Sequence, residues 1–368
     1  MLLFRNLVTT THGKILVALG VALVGWGIWL AKTAWTKSDP DLTTPKLALE
    51  KLQAKTLYFN GPARSWVLAS RPELLTDADR DFNSERTREL AQAVQNPKLF
   101  RQLDRQTRFD AVLLVGDPSQ YKPLLDHLTE TKDWSLRYVD HTSLVLRRDG
   151  GKVWELADFS VVRERLAKKS AKARARAWAQ TATKLLAAGH AEAGKTLLDE
   201  AAQFAPRNSE VANGLAIYYL GRGEWRQAEA QVQRALSADK NFLPALATKT
   251  QLLYGTKRFS QAYDISKEVI TRLPDDPQLL FYHAKIAHEA NAFKAEIVVL
   301  EKLIAWAEAE SRPTGGYQLY LGQAYASVGD GPRSIDSFML ALNDPDIPDD
   351  QRAFARENIA RIKKRTGQ

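Results

Sequence analysis

Cysteine is absent from all 368 residues. That excludes a disulfide, a thiolate nucleophile and a cysteine-ligated zinc site, and it leaves the redox compartment open. Other chemistry is also scarce. Among six histidines, His12, His127, His141, His190, His283 and His288, there is no metal-ligand pair: His283 and His288 are five apart, more than one helical turn. His127 and His141 each follow an aspartate, but no serine nucleophile elbow accompanies them. Gly116-Asp117-Pro118-Ser119 follows a strand-like run without the glycine spacing or lysine of a phosphate cradle, and reads as a turn. Asp77, Asp79 and Asp81 alternate as in a calcium loop, yet Phe82 stands where glycine is needed and Arg88 where a bidentate carboxylate is needed. They read as acids solvating a loop ahead of a helix. The sequence thus points to no catalytic residue, no cofactor and no metal, and to a protein that is not an enzyme.

What is present is ordinary folded-protein composition: 45% hydrophobic and 26% charged residues exclude wholesale disorder, and the length suffices for two domains. The formal charge of +9 favours acidic partners, whether headgroups, anionic glycans, nucleic acid or proteins. Nucleic acid is the weaker reading, because the aromatics fall at core spacing and no nucleic-acid motif occurs. Residues 15–31, ILVALGVALVGWGIWLA, carry no charge, and extension to 35 admits only Lys32. With Trp26, Trp29 and Trp35 at its end, 15–35 reads as an uncleaved transmembrane anchor after a short tail, 1–14. Arg5 and Lys14 on that tail favour a cytoplasmic N-terminus, with the bulk on the periplasmic side of an inner membrane.

A polar, proline-punctuated linker, 36–50, leads to a small α/β domain at 51–160. Leu57-Tyr58-Phe59 and Trp66-Val67-Leu68 read as strands, as do Phe109 to Val115, Trp134 to Val139, Ser143 to Arg148 and, after the turn Asp149-Gly150-Gly151, Lys152 to Leu156. Ser84 caps a helix that Asn96-Pro97 breaks in two, and a second helix runs from Tyr121 to Leu128. The pattern around Phe109-Asp110, Trp134 and Tyr138-Val139-Asp140 resembles the soluble domain of some bacterial mannosyltransferase-like proteins. That resemblance, over about residues 100–150, implies a non-catalytic extracytoplasmic module near glycan or envelope machinery.

The C-terminal half repeats itself at an interval of 34. Trp225, Phe259 and Phe293 recur at that spacing, as do Gly194, Ala228 and Ala262, then Ala201, Ala235 and Val269; Pro206 and Pro274 are two periods apart. Gly189 and Gly223 match as turn residues. Leu321-Gly322-x-x-Tyr325 with Gly329, Phe338 and Ala341 completes the pattern. These residues resemble the tetratricopeptide repeat, which implies helical hairpins stacked so that small residues admit close helix pairs and aromatics fill the gaps between hairpins. Five hairpins are expected at 175–208, 209–242, 243–276, 277–314 and 315–348, with a polar capping helix in 349–368. The fourth is irregular: Glu296 replaces the small residue and residues 311–316 lengthen the connection, so a distorted packing angle is expected there.

The fold class is therefore mainly α: an anchor, a small α/β domain and an α-solenoid with a cap. The resemblance implies a groove lined by the first helix of each pair, carried over onto Arg176, Glu210, Asn213, Gln251, Tyr254, Gln278, Phe281, Lys285, His288 and Gln323. A basic linker helix at 161–174 leads in, and the patch Arg163, Arg165, Lys168, Lys169, Lys172, Arg174 and Arg176 would meet headgroups or an acidic partner. The expected function is a membrane-anchored scaffold whose groove binds protein partners, subunits of an envelope complex, while residues 15–35 contact the bilayer. Two alternatives remain at this level: a ligand-binding or accessory subunit of a glycan-processing or secretion enzyme system, and a cytosol-facing adaptor or chaperone.

Overall fold

The computed structural model describes residues 45, 48–49, 52, 54–81, 83–131, 133–148, 159–310, 312–345 and 347–366. The expected anchor 15–35, its tail and most of the linker lie outside these, as do the turn at 149–151 and the strand at 152–156. The expected localisation is corrected: among the described residues no helix is long and apolar enough to cross a membrane, so no single-pass anchor is shown. The chain divides into two compact units, Met1–Ala205 and Pro206–Gln368.

The first unit is built on a four-stranded sheet: β1 (Leu57–Phe59), β2 (Ala111–Val115), β3 (Ser135–Val139) and β4 (Ser143–Arg147), in the order β1-β2-β4-β3. β1 pairs parallel with β2 through Leu57↔Ala111, and β4 pairs antiparallel with both β2 and β3. All five residues of β2 are buried, as expected of a strand covered on both faces. Alternation decides which layer each side chain joins. Leu57 and Phe59 pack with Ala63, Val67 and Leu113, whereas Tyr58 meets Phe100 and Phe109 edge-on at 5.1 and 5.6 Å. The Tyr58 hydroxyl donates to the Leu90 carbonyl at 2.7 Å, so its burial leaves no orphan donor.

Around the sheet lie α1 (Arg64–Ser70), α2 (Asp77–Arg80), α3 (Glu85–Ala93), α4 (Pro97–Thr107) and α5 (Lys122–Glu130). Trp66-Val67-Leu68 is thus helical rather than a strand. Gly61-Pro62-Ala63 forms a 3-10 turn that feeds α1, and Ala63 and Val67, one turn apart, are both fully buried while Leu68 is exposed. The break between α3 and α4 follows its signals: the Ser84 hydroxyl accepts from the Thr87 amide at 3.1 Å, and the Asn96 side chain accepts from Lys98 and Leu99 ahead of Pro97. Asp79 serves as a local cap, accepting from the Thr76 amide and hydroxyl at 2.9 and 2.7 Å.

The lead-in to the repeats is two helices, α6 (Ser160–Ala167) and α7 (Ala171–Ala187), not one basic helix. Ser170 starts the second by accepting from the Ala173 amide. α7 pairs with α8 (Ala191–Phe204), and this first hairpin shares a unit with the sheet. The buried Lys184 of α7 reaches the sheet, where its ammonium donates to the His141 carbonyl at 2.9 Å. Burial lowers its pKa to about 8, against the opposing pull of Asp140 and Asp117. Asp140 organises the loop that Lys184 meets: one carboxylate oxygen accepts from the Thr142 and Ser143 amides at 2.8 Å, the other from the Tyr138 hydroxyl at 2.7 Å.

The second unit holds α9 (Ser209–Gly221) with α10 (Trp225–Ala238), α11 (Leu243–Gly255) with α12 (Phe259–Arg272), α13 (Pro277–Glu289) with α14 (Phe293–Ala309), and α15 (Gly315–Ser327) with α16 (Gly331–Asn343), then α17 (Asp349–Thr366). One device turns all five hairpins. In the second, the Gly223 amide bonds the Leu220 carbonyl and the Glu224 amide bonds the Tyr219 carbonyl, a Schellman turn that needs a left-handed residue between the helices. The same pair of bonds recurs at Gly189, Lys257, Asn291 and Gly329. Their φ values, +84, +71, +60, +58 and +83 for positions 189, 223, 257, 291 and 329, keep the repeat register even where glycine is lost.

Within each pair, the small residue near the start of the second helix lies against the first. A Cβ on Gly194 would meet the Leu186 side chain at 3.0 Å, and Ala228 and Ala262 are fully buried at the equivalent place. In the last pair that place holds Ser334, whose hydroxyl donates to the Gly322 carbonyl at 2.7 Å. Beside it, a Cβ on Gly322 would stand 2.9 Å from the ring of Phe338. Between successive hairpins, Trp225 packs against Gly255 in the same manner, at 3.0 Å.

Candidate partner-binding site

The fourth hairpin carries the exception at this contact. Glu296 occupies the small-residue position with no exposed surface, eight residues after His288, as Gly194 follows Leu186 and Ala262 follows Tyr254. A buried carboxylate needs a partner, and the geometry supplies one: His288 Nδ1 lies 3.0 Å and 3.2 Å from the two carboxylate oxygens. That hydrogen bond raises the His288 imidazole above its ordinary pKa, with burial opposing, while burial pushes the Glu296 carboxyl up. A histidine held through Nδ1 leaves Nε2 as the nitrogen available outward, and its side chain is 33% exposed.

Aromatic side chains join the first helices of the third, fourth and fifth hairpins. Tyr254 of α11 meets Tyr282 of α13 at 5.7 Å, and Phe281 of α13 meets Tyr317 and Tyr320 of α15 at 5.2 and 5.1 Å. Tyr254, Phe281, Tyr317 and Tyr320 are all half-buried, so each keeps some surface open to solvent. Burial raises the Tyr254 phenol above its ordinary pKa, and Glu289 and Tyr320 add to the shift. A cleft of about 410 Å3 is lined by His288 of α13, Gln323 of α15, and Phe354, Asn358, Arg361 and Arg365 of α17.

The expected groove residues divide accordingly. Tyr254 and Phe281 stand in the aromatic row, and His288 and Gln323 line the cleft. Gln251 and Gln278 are exposed on α11 and α13, and Lys285 is half-buried on α13. Glu210 is half-buried on α9, whereas Asn213, only 7% exposed, is part of the packed interior of that helix. Arg176 is exposed on α7, in the first unit.

The basic patch is not one stripe. Arg163 pairs with Glu200 at 2.8 Å, the Arg174 guanidinium lies over the Phe204 ring at 4.7 Å, and the break at Ser170 separates Arg163 and Arg165 on α6 from Lys172, Arg174 and Arg176 on α7. Lys168 is exposed and Lys169 half-buried in that break. Among the described residues, no group of three or more histidines and carboxylates could hold a metal.

Sequence reasoning missed Phe354, Arg361 and Arg365, because residues 349–368 were read only as a polar cap. It also missed the tie between His288 and Glu296, although a carboxylate at a small-residue position of a 34-residue register is itself a signal.

Residues 185–253 match the tetratricopeptide repeat family. Tetratricopeptide repeat proteins act as scaffolds for protein–protein interaction, binding protein partners. No curated protein matches the chain. Among solved structures, it is similar to YrrB, a tetratricopeptide repeat protein with an unusual peptide-binding site, at 12% identity and TM-score 0.45, over 55% of this chain and 100% of that one. PilF from Pseudomonas aeruginosa is 17% identical with TM-score 0.42, over 54% and 92%. MamA from Desulfovibrio magneticus, from its residue 41 onward, is 17% identical with TM-score 0.40, over 46% and 93%. The family match does not reach residues 100–150, where the resemblance to mannosyltransferase-like proteins was placed.

Proposed function

We propose that this chain is an interaction scaffold that holds an extended segment of a partner protein along the first helices of its C-terminal hairpins, and so joins that partner to a larger assembly. The observation that supports this reading is the half-buried aromatic row Tyr254, Phe281, Tyr317 and Tyr320. Large rings with few rotatable bonds offer contact area at small entropic cost, which is why they anchor interfaces. Gln251, Gln278 and Lys285 on the same helices supply the polar surroundings that such an anchor uses.

The test is capture from the native cell by the full chain and by a Tyr254→Ala, Phe281→Ala, Tyr320→Ala variant of equal helicity. The proposal expects specific partners to be lost from the variant. An unchanged set of captured proteins would refute it.

A further inference from the structure

We infer that the cleft between α13, α15 and α17 receives an acidic, extended stretch of the partner, with its carboxylates at Arg361 and Arg365 and an apolar neighbour against Phe354. The inference rests on the scaffold reading above and names the chemistry of the segment that is held. Charge complementarity carries it. The side chains that line the cleft include two arginines and a histidine but no carboxylate, in a chain whose Asp and Glu number 43. Of the two acids that act on His288 from outside this lining, Glu296 is buried behind it and already engaged by it, so it secures a donor without repelling an anion at the mouth, and Glu289 is not part of the lining.

The polar groups suit an extended backbone as well as a carboxylate. Gln323 carries both a donor and an acceptor, and arginine's planar fork matches a carboxylate in two places. Arg361 is preset by its hydrogen bond to the Asn358 side-chain oxygen. Phe354 contributes the apolar part: its ring meets Phe338 edge-on at 6.2 Å on one side, and 38% of the residue remains exposed. Two arginines in the closing turns of a helix also complement its carbonyl ends, but that function needs no exposed phenylalanine about two and three turns earlier and no histidine from another hairpin. The joint presence of basic, amide and aromatic side chains in one concavity is the composition of a peptide site.

The experiment is selection of a random dodecapeptide library on the immobilised full chain, then anisotropy with a selected peptide and its Glu→Gln, Asp→Asn counterpart. Peptides enriched in Asp or Glu beside an aliphatic or aromatic residue are expected. The acidic peptide should bind at least tenfold more tightly than its amide counterpart, and Arg361→Gln with Arg365→Gln should abolish that difference. A charge-matched pair at exposed sites elsewhere, Lys240→Gln with Lys257→Gln, should leave it in place.

Neutral or basic selected peptides that still depend on Phe281 would overturn the acidic chemistry and leave the scaffold reading intact. Equal losses in both double variants, or tighter arginine-dependent binding of single-stranded DNA than of the acidic peptide, would also overturn it. No selection above the blank would sink both proposals.

Discussion

Replacing Lys257 by glycine should stabilise the third hairpin. Lys257 occupies the left-handed position of its Schellman turn, φ +60, where three of the five hairpins have glycine. A side chain there costs about 1–2 kcal/mol through the clash of Cβ with the following carbonyl. Glycine returns about 0.5–1 kcal/mol of that through the greater freedom of its unfolded chain. The net gain is about 1 kcal/mol, and the lysine side chain is exposed, so no packing is lost. Gly223→Ala is the opposite experiment: nothing lies within 4 Å of the added methyl, so its cost of about 1 kcal/mol is conformational. Amide hydrogen exchange of α11 and α12 reads the effect locally, which suits a stack of units that need not unfold together. Protection should rise about fivefold in Lys257→Gly, since RT is about 0.59 kcal/mol, and fall about as much around Gly223→Ala. Unchanged or faster exchange in the glycine variant would refute the argument.

Two further outcomes follow from contacts in the second unit. Gly322→Ala should cost about 1–3 kcal/mol, because its methyl would press on the fully buried Phe338, whereas Gly255→Ala meets the 42% exposed Trp225, which can shift, and should cost less than about 0.5 kcal/mol; thermal midpoints would check the order. His283 is 2% exposed, bonded through Nδ1 to the Ser266 hydroxyl at 2.7 Å, and burial, aided by Lys267, lowers its pKa to about 4. The folded imidazole stays neutral while the unfolded one takes a proton below about pH 6.5, so stability is full above that pH and falls by about 1.4 kcal/mol per unit down to about pH 4. In His283→Gln the thermal midpoint should decline less steeply across that window, and equal slopes would show that His283 does not set this dependence.

The repeat was legible because a 34-residue interval is written in residues with mechanical duties: Trp225, Phe259 and Phe293 against neighbouring helices, Ala228 and Ala262 at the close contact, Gly189 and Gly223 at the turns. Ser84 and Asn96-Pro97 were readable for the same reason, since caps and proline act within a few residues. Trp66-Val67-Leu68 was misread because three apolar residues cannot distinguish a period of 2 from one of 3.6. The break at Ser170 was hidden by a run of cations that suits a helix on either side. Long-range ties had no local mark. Nothing around Lys184 announces that its ammonium meets the His141 carbonyl 43 positions earlier, and Arg361 and Arg365 become part of a site only when α17 is set beside α13.

The central claim is that a partner is held on the first helices of the hairpins, and site-specific photo-crosslinking tests it most directly. A benzophenone amino acid would replace Phe281 on the first helix of the fourth hairpin or, in a separate protein, Val298, which is 65% exposed on the second helix. After irradiation in the native cell, the scaffold account predicts one discrete adduct from position 281 and none from 298. Adducts of equal yield from both positions, or from 298 alone, would contradict it.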